Sequence, residues 1–166
     1  MTELVTWLTD KSTLDSKLSG GKGSALARMA QAELPVPEGF VVTSQAFGRA
    51  GGGRIGQALS RIRAAGPDDL DAIEEASALA REAIYRAELP VDLLAAVRVA
   101  FDALGAGAVS VRSSATAEDL ANASFAGQYE TYLNVHGIDE VARRIRDVWA
   151  SLYEVDPIDW TGIGTS

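Results

Sequence analysis

Arg112, Ser113, Ser114 and Thr116 set one guanidinium beside three hydroxyls, directly after the short apolar run of Val109 and Val111. That combination suits an anion. The planar fork of arginine can bond two phosphate oxygens at once, and small hydroxyls add donors without filling the space the oxygens need. The same residues also read, more plainly, as a surface turn closing a strand. A second cation, Lys22, stands in Gly20-Gly21-Lys22-Gly23. Its glycines let a backbone approach a ligand closely, and the residues that follow open a helix whose positive end favours anions. The turn is not a Walker A loop, because Ser16 stands where glycine is needed and Gly23 where Ser or Thr should follow the lysine. On its own it reads first as a plain helix start.

These cations stand against an acidic background. The chain has 166 residues and a formal net charge of −8. Nucleic-acid surfaces neutralise phosphates with basic patches, so that class of partner is not expected. An anionic ligand such as a polyphosphate requires local cations, which directs attention to Lys22 and Arg112. With 47% hydrophobic and 23% charged residues, the composition is that of a globular domain with a real core. No apolar run reaches the roughly 20 residues that span a bilayer, so no membrane partner is expected. Cysteine is absent, and the opening MTELVTWLTDK is acidic rather than leader-like. A cytoplasmic location is the expectation.

The elements that must position the two cations follow from periodicity. A strand is expected over Leu4 to Leu8, a Ser- and Gly-rich turn over Asp15 to Gly21, and a helix from Gly23 to Glu33. Leu26, Met29 and Ala30 form that helix's apolar face, and Pro35 and Pro37 stop it. Phe40 to Thr43 reads as a buried strand. Beyond Gly51 to Gly53, the Ala-rich stretch from Arg54 to Leu104 reads as at least three helices jointed at Gly66-Pro67 and Leu89-Pro90. Strands follow at Val109 and over Thr131 to Val135. The last helix carries Ile138, Val141, Ile145, Val148, Trp149 and Leu152 on one face, with Arg143, Arg144 and Asp147 on the other.

Other matches carry less. Thr116 with Asp119 fits a helix cap, so Glu118 and Asp119 read as a helix start rather than a metal site. Gly51, Gly53 and Gly56 formally fit G-x-G-x-x-G, but SQAFGRA before them is helical, where a dinucleotide fold requires a strand. Asn122-Ala123-Ser124 matches a glycosylation acceptor that means nothing without export. His136, the sole histidine, reads as a solvated turn residue, and the three tryptophans as packing residues.

Four blocks in order, LSGGKGSALARM, LPVPEGFVVTSQAF, VSVRSSATAEDLANASFAGQYETYLNV and a helix ending WASLY, resemble the N-terminal ATP-binding domain of the family of phosphoenolpyruvate synthase, pyruvate, phosphate dikinase and rifampin phosphotransferase. The wording RSSATAED and SFAGQ is closer to the synthase and rifampin enzymes. The resemblance implies a mixed α/β (α+β) fold, an ATP-grasp-like N-terminal subdomain, with residues 1–152 a partial ATP-binding domain and residues 153–166 a divergent tail. It implies ATP contacts at Lys22, Arg112, Gly127 and Thr131, with no catalytic residue and no metal ligand in this chain. The Mg2+ ligands and the adenine pocket are expected in a second half of the domain, outside it. A complete enzyme would pass the β-phosphate of ATP to a histidine on another domain, and then to pyruvate or a rifamycin hydroxyl. The expected partners are ATP and possibly a separately encoded remainder, without which the chain is incomplete as a catalyst. The alternative is a non-catalytic nucleotide-binding or partner module, or a truncated remnant.

Overall fold

The computed structural model describes residues 3–51, 53–66, 69–105, 107–114 and 130–153. Strand β1 (Val5–Trp7) pairs antiparallel with β2 (Phe40–Val42), Thr6 opposite Val41. A 3-10 turn (Lys11–Leu14) and helix α1 (Ser16–Gln31) lie between them. Helices α2 (Ser44–Ala50), α3 (Gly53–Ala64), α4 (Leu70–Arg86) and α5 (Val91–Leu104) follow. Strand β3 (Val109–Arg112) then pairs antiparallel with β4 (Thr131–Val135), and α6 (Gly137–Ser151) completes the described chain. This mixture of helices and short antiparallel strands is an α+β arrangement.

Local chemistry explains most boundaries. The side chains of Asp15, Thr43 and Asp69 each accept a backbone N–H in the first turn of α1, α2 and α4. The helix α5 begins after Pro90 and ends at Gly105, whose φ of 61° is the left-handed conformation that closes helices. The joint expected at Leu89-Pro90 falls between α4 and α5, and Gly66 lies between α3 and α4, while Pro67 lies outside the described residues. Because α2 precedes Gly51, the dinucleotide-like glycine match has no strand before it.

Three expectations change. The turn expected over Asp15 to Gly21 is instead the first part of α1, kinked at Gly20. Its buried face is not the Leu26, Met29 and Ala30 stripe: Gly23, Ser24 and Ala27 are buried, whereas Met29 is 41% exposed. Small residues win there because β2 and the end of β3 press close. Third, β2 is only half-buried along its length, since one side of it borders a cavity.

The main core lies where Ile84 of α4, Leu93 and Val97 of α5, and Val141, Ile145 and Trp149 of α6 meet. Phe47 of α2 stacks obliquely on Trp149 at 5.2 Å between ring centroids. All six apolar positions expected on α6 are buried or half-buried. The opposite flank is not simply solvated, because β4 covers part of it. Arg144 lies 4.4 Å over the Tyr132 ring and bonds Glu140 and Asp147 at 3.4 and 3.1 Å. Burial, followed by the charges of Glu130 and Asp147, a hydrogen bond to Glu130 and nearby Tyr85, pushes the Tyr132 phenol up to about 12. A proton held more tightly in the folded state means stability falls as pH rises from 10 towards 12. In an ultraviolet titration of the four tyrosines, the last to ionise should disappear in Tyr132→Phe; an unchanged late step would assign it elsewhere.

Candidate functional site

Ser114 enters α1. In an unbroken helix the N–H of Gly23 would bond the carbonyl of Ser19, four residues earlier. Here Gly23 N–H donates to Ser114 Oγ at 2.8 Å, and that hydroxyl donates to Ser19 O at 2.7 Å. One hydroxyl from a segment 91 residues away thus spans the gap that kinks the helix. Gly20 makes the kink possible at φ 72°, ψ 174°, a region essentially restricted to glycine. A Cβ at Gly20 would lie 1.9 Å from the Ser114 carbonyl oxygen, and one at Gly23 only 3.2 Å from Val41 Cγ2. Close approach and backbone conformation therefore require glycine at position 20 and leave little room beyond it at position 23, before any ligand is considered.

This junction brings the predicted cations together. Lys22 lies in the first turn after the kink, and Arg112 two residues before Ser114. Desolvation by burial, and then repulsion from the Arg112 guanidinium, holds the Lys22 ammonium below its ordinary pKa of 10.5. Thr131 sits directly opposite Arg112 in the β3–β4 ladder, and both are exposed. Lys22, Arg112 and Thr131, far apart in sequence, thus share one neighbourhood. Gly127, Thr116, Glu118, Asp119 and the Asn122-Ala123-Ser124 match lie outside the described residues.

Lys22 and Arg112 border a cavity of about 800 Å³ between α1, β2, β3 and α6. Its size falls in the range of ligand pockets, roughly 300–1,000 Å³. Ser113 lines it, is 2% exposed, and its Oγ has no hydrogen-bond partner among the described residues. A buried hydroxyl without a partner costs roughly 1–3 kcal/mol, so Ser113 is suited to an incoming acceptor. The hydroxyls grouped in the sequence therefore divide: Ser114 is used for the fold, and Ser113 remains. Position in the sequence could not separate them, because only the bonds to Ser19 and Gly23 do. His136 is exposed at the start of α6, with Nδ1 2.8 Å from Gly107 O and Nε2 3.0 Å from Asn134 Oδ1. Among the described residues, no three carboxylate or imidazole groups converge. Nor is any described helix long and apolar enough to cross a membrane.

Residues 16–161 match the family model described as pyruvate phosphate dikinase, AMP/ATP-binding domain. The chain belongs to this family. It is 42% identical over 162 residues to phosphoenolpyruvate synthase of Aeropyrum pernix, covering 90% of this chain and 19% of that protein. Phosphoenolpyruvate synthase of Pseudomonas aeruginosa is also 42% identical, over 92% of this chain and 21% of its own length. A rifampicin phosphotransferase of a Streptomyces species is 40% identical over 86% and 17%. The chain spans about a fifth of the length of these curated relatives.

The dikinase-family junction can be tested by stability. Gly20→Ala combines a strained backbone, about 1–3 kcal/mol, with a clash against main chain, and should lower unfolding free energy by at least about 3 kcal/mol. Gly21→Ala, with nothing within 4 Å, should change it by less than about 1 kcal/mol. Equal effects in denaturant titrations of the two variants would contradict this account of the kink.

Proposed function

We propose that this domain binds the polyphosphate of ATP through Lys22 and Arg112, with Thr131 and the Ser113 hydroxyl as further donors and Gly127 as the close-approach glycine. The reading rests chiefly on one observation: Lys22 and Arg112 line the same cavity, in a protein of net charge −8. An anion placed between two such cations is attracted to both. The family's description as AMP/ATP-binding supports the same ligand. Residues 1–152 would then be a partial domain of ATP-grasp type and residues 153–166 a tail outside it.

Among the described residues no three acidic or imidazole groups gather, and this reading places the Mg2+ ligands in the part of the domain outside this chain. No catalytic step is therefore assigned to this chain. In a complete synthase-like or rifampicin phosphotransferase-like enzyme, the β-phosphate would pass to a histidine on another domain. His136 is a poor substitute, because both of its ring nitrogens already have protein partners. The chain alone acts as a nucleotide-binding module whose catalytic counterpart lies elsewhere.

ATP at about 100 times its Kd should raise Tm by about 5–10 °C. Lys22→Ala and Arg112→Ala should each weaken binding about tenfold or more, because charged hydrogen bonds contribute about 1.5–3 kcal/mol. A Tm shift that persists unchanged in both variants would remove the basis of this reading. The pH dependence has a definite sign. Bound phosphate favours charged Lys22, so binding takes up a proton once the free lysine begins to lose its own, and affinity falls as pH rises towards 10.5. Lys22→Arg should flatten that profile in a titration of Kd against pH; the same fall in the arginine variant would exclude Lys22 as its source.

A further inference from the structure

Three groups that line the cavity suit a reaction as well as the holding of an anion. Lys22, Arg112 and Ser113 line it together, and beside them the lining turns apolar with Leu18, Leu26 and Val41. Leu26 stands four residues beyond Lys22, on the same face of α1. The cavity therefore offers a guanidinium that suits phosphate, a primary amine and a slot for a short apolar chain. The buried Ser113 Oγ, without a hydrogen-bond partner among the described residues, adds a second donor for a phosphate oxygen. Burial, and then Arg112, favours the neutral amine of Lys22, which is the form that attacks carbon. The other two lysines, Lys11 and Lys17, are exposed and line no part of this cavity.

We propose that Lys22 is an acylation site whose reagent is an acyl phosphate with a short apolar acyl group. The proposal rests on the nucleotide reading for one contact, that of Arg112 with phosphate, and it adds a control on the same site. With its phosphate against Arg112 and Ser113, the reagent presents its carbonyl carbon to the amine. The Lys22 nitrogen bonds that carbon, the carbon–oxygen bond to phosphate breaks, and the electron pair leaves on inorganic phosphate. The nitrogen gives its proton to water. The guanidinium assists twice, by raising the local concentration of the reagent and by stabilising the charge that develops on the departing phosphate. An acyl donor without phosphate gains neither. The product is a neutral amide whose acyl group takes the slot beside Leu26 and Val41. A polyphosphate then meets one cation where it met two, so acylation closes the nucleotide site without a change of fold.

The test exposes the full chain to acetyl phosphate at mildly alkaline pH and follows each lysine by peptide mass spectrometry. Lys22 should acetylate at least about tenfold faster than Lys11 or Lys17, the gain expected of a charged hydrogen bond to the phosphate. Acetic anhydride, which carries no phosphate, should lose most of that preference. Inorganic phosphate and ATP should each slow the reaction at Lys22 alone. Arg112→Gln should bring Lys22 down to the rate of the other two lysines; should that variant fail to fold, competition by inorganic phosphate on the unmodified chain reads the same contact. Equal rates at the three lysines would overturn the proposal, and so would an equal preference with acetic anhydride, which marks a reactive amine without a phosphate site. Selective acetylation of a chain that binds no ATP would uphold the proposal and remove the nucleotide reading; equal rates with intact ATP binding would do the reverse.

Discussion

The fold and the candidate site both depend on one hydroxyl. Ser114 Oγ stands between Ser19 O and Gly23 N and replaces the helical bond that the kink of α1 would otherwise lose. Without that substitution two buried backbone groups would each lack a partner, at about 1–3 kcal/mol apiece. With it, the helix can turn at Gly20 while staying hydrogen-bonded, and the end of β3 is held against the first turn that carries Lys22. The glycines around Lys22 thus have a structural cause before a ligand one.

Charge is distributed unevenly on this acidic chain. Arg49 pairs with Asp92, Arg86 with Glu82, and Arg143 and Arg144 with Glu140 or Asp147. Arg81 and Arg146 bond backbone carbonyls that cap neighbouring elements. These cations serve packing. Among the described residues Arg112 has no carboxylate within 4.0 Å and stands beside another cation instead. The placement runs against the trend of the surface, and like charges gathered at a cavity are characteristic of functional sites.

Periodicity made the element order legible, because α4, α5 and α6 each bury a face whose spacing survives in the sequence. The resemblance to the dikinase family was legible as well, since its motifs are contiguous words. The burial of α1 was not. A helix that packs through Gly23, Ser24 and Ala27 leaves its larger residues outside, so an apolar stripe points to the wrong face. The separate roles of Ser113 and Ser114 were equally hidden, being fixed by partners about ninety positions away rather than by neighbours. The half-burial of Arg144 depends on Tyr132 in β4, which helix periodicity alone does not contain.

Strand β3 connects these features physically. Its first residues border the apolar part of the cavity, and its last carry Arg112 before the chain passes to Ser113 and Ser114. On one side it is held only by a short ladder to β4 that contains an irregularity between Val109 and Val111. Any interaction that fixes the other edge would restrict the motion of Arg112 relative to Lys22, since Ser114 transmits the position of β3 to α1. Holding two cations at a set spacing before an anion arrives lowers the ordering cost of binding it. The order of β3 and the preorganisation of the cation pair are therefore coupled through the same four-residue strand.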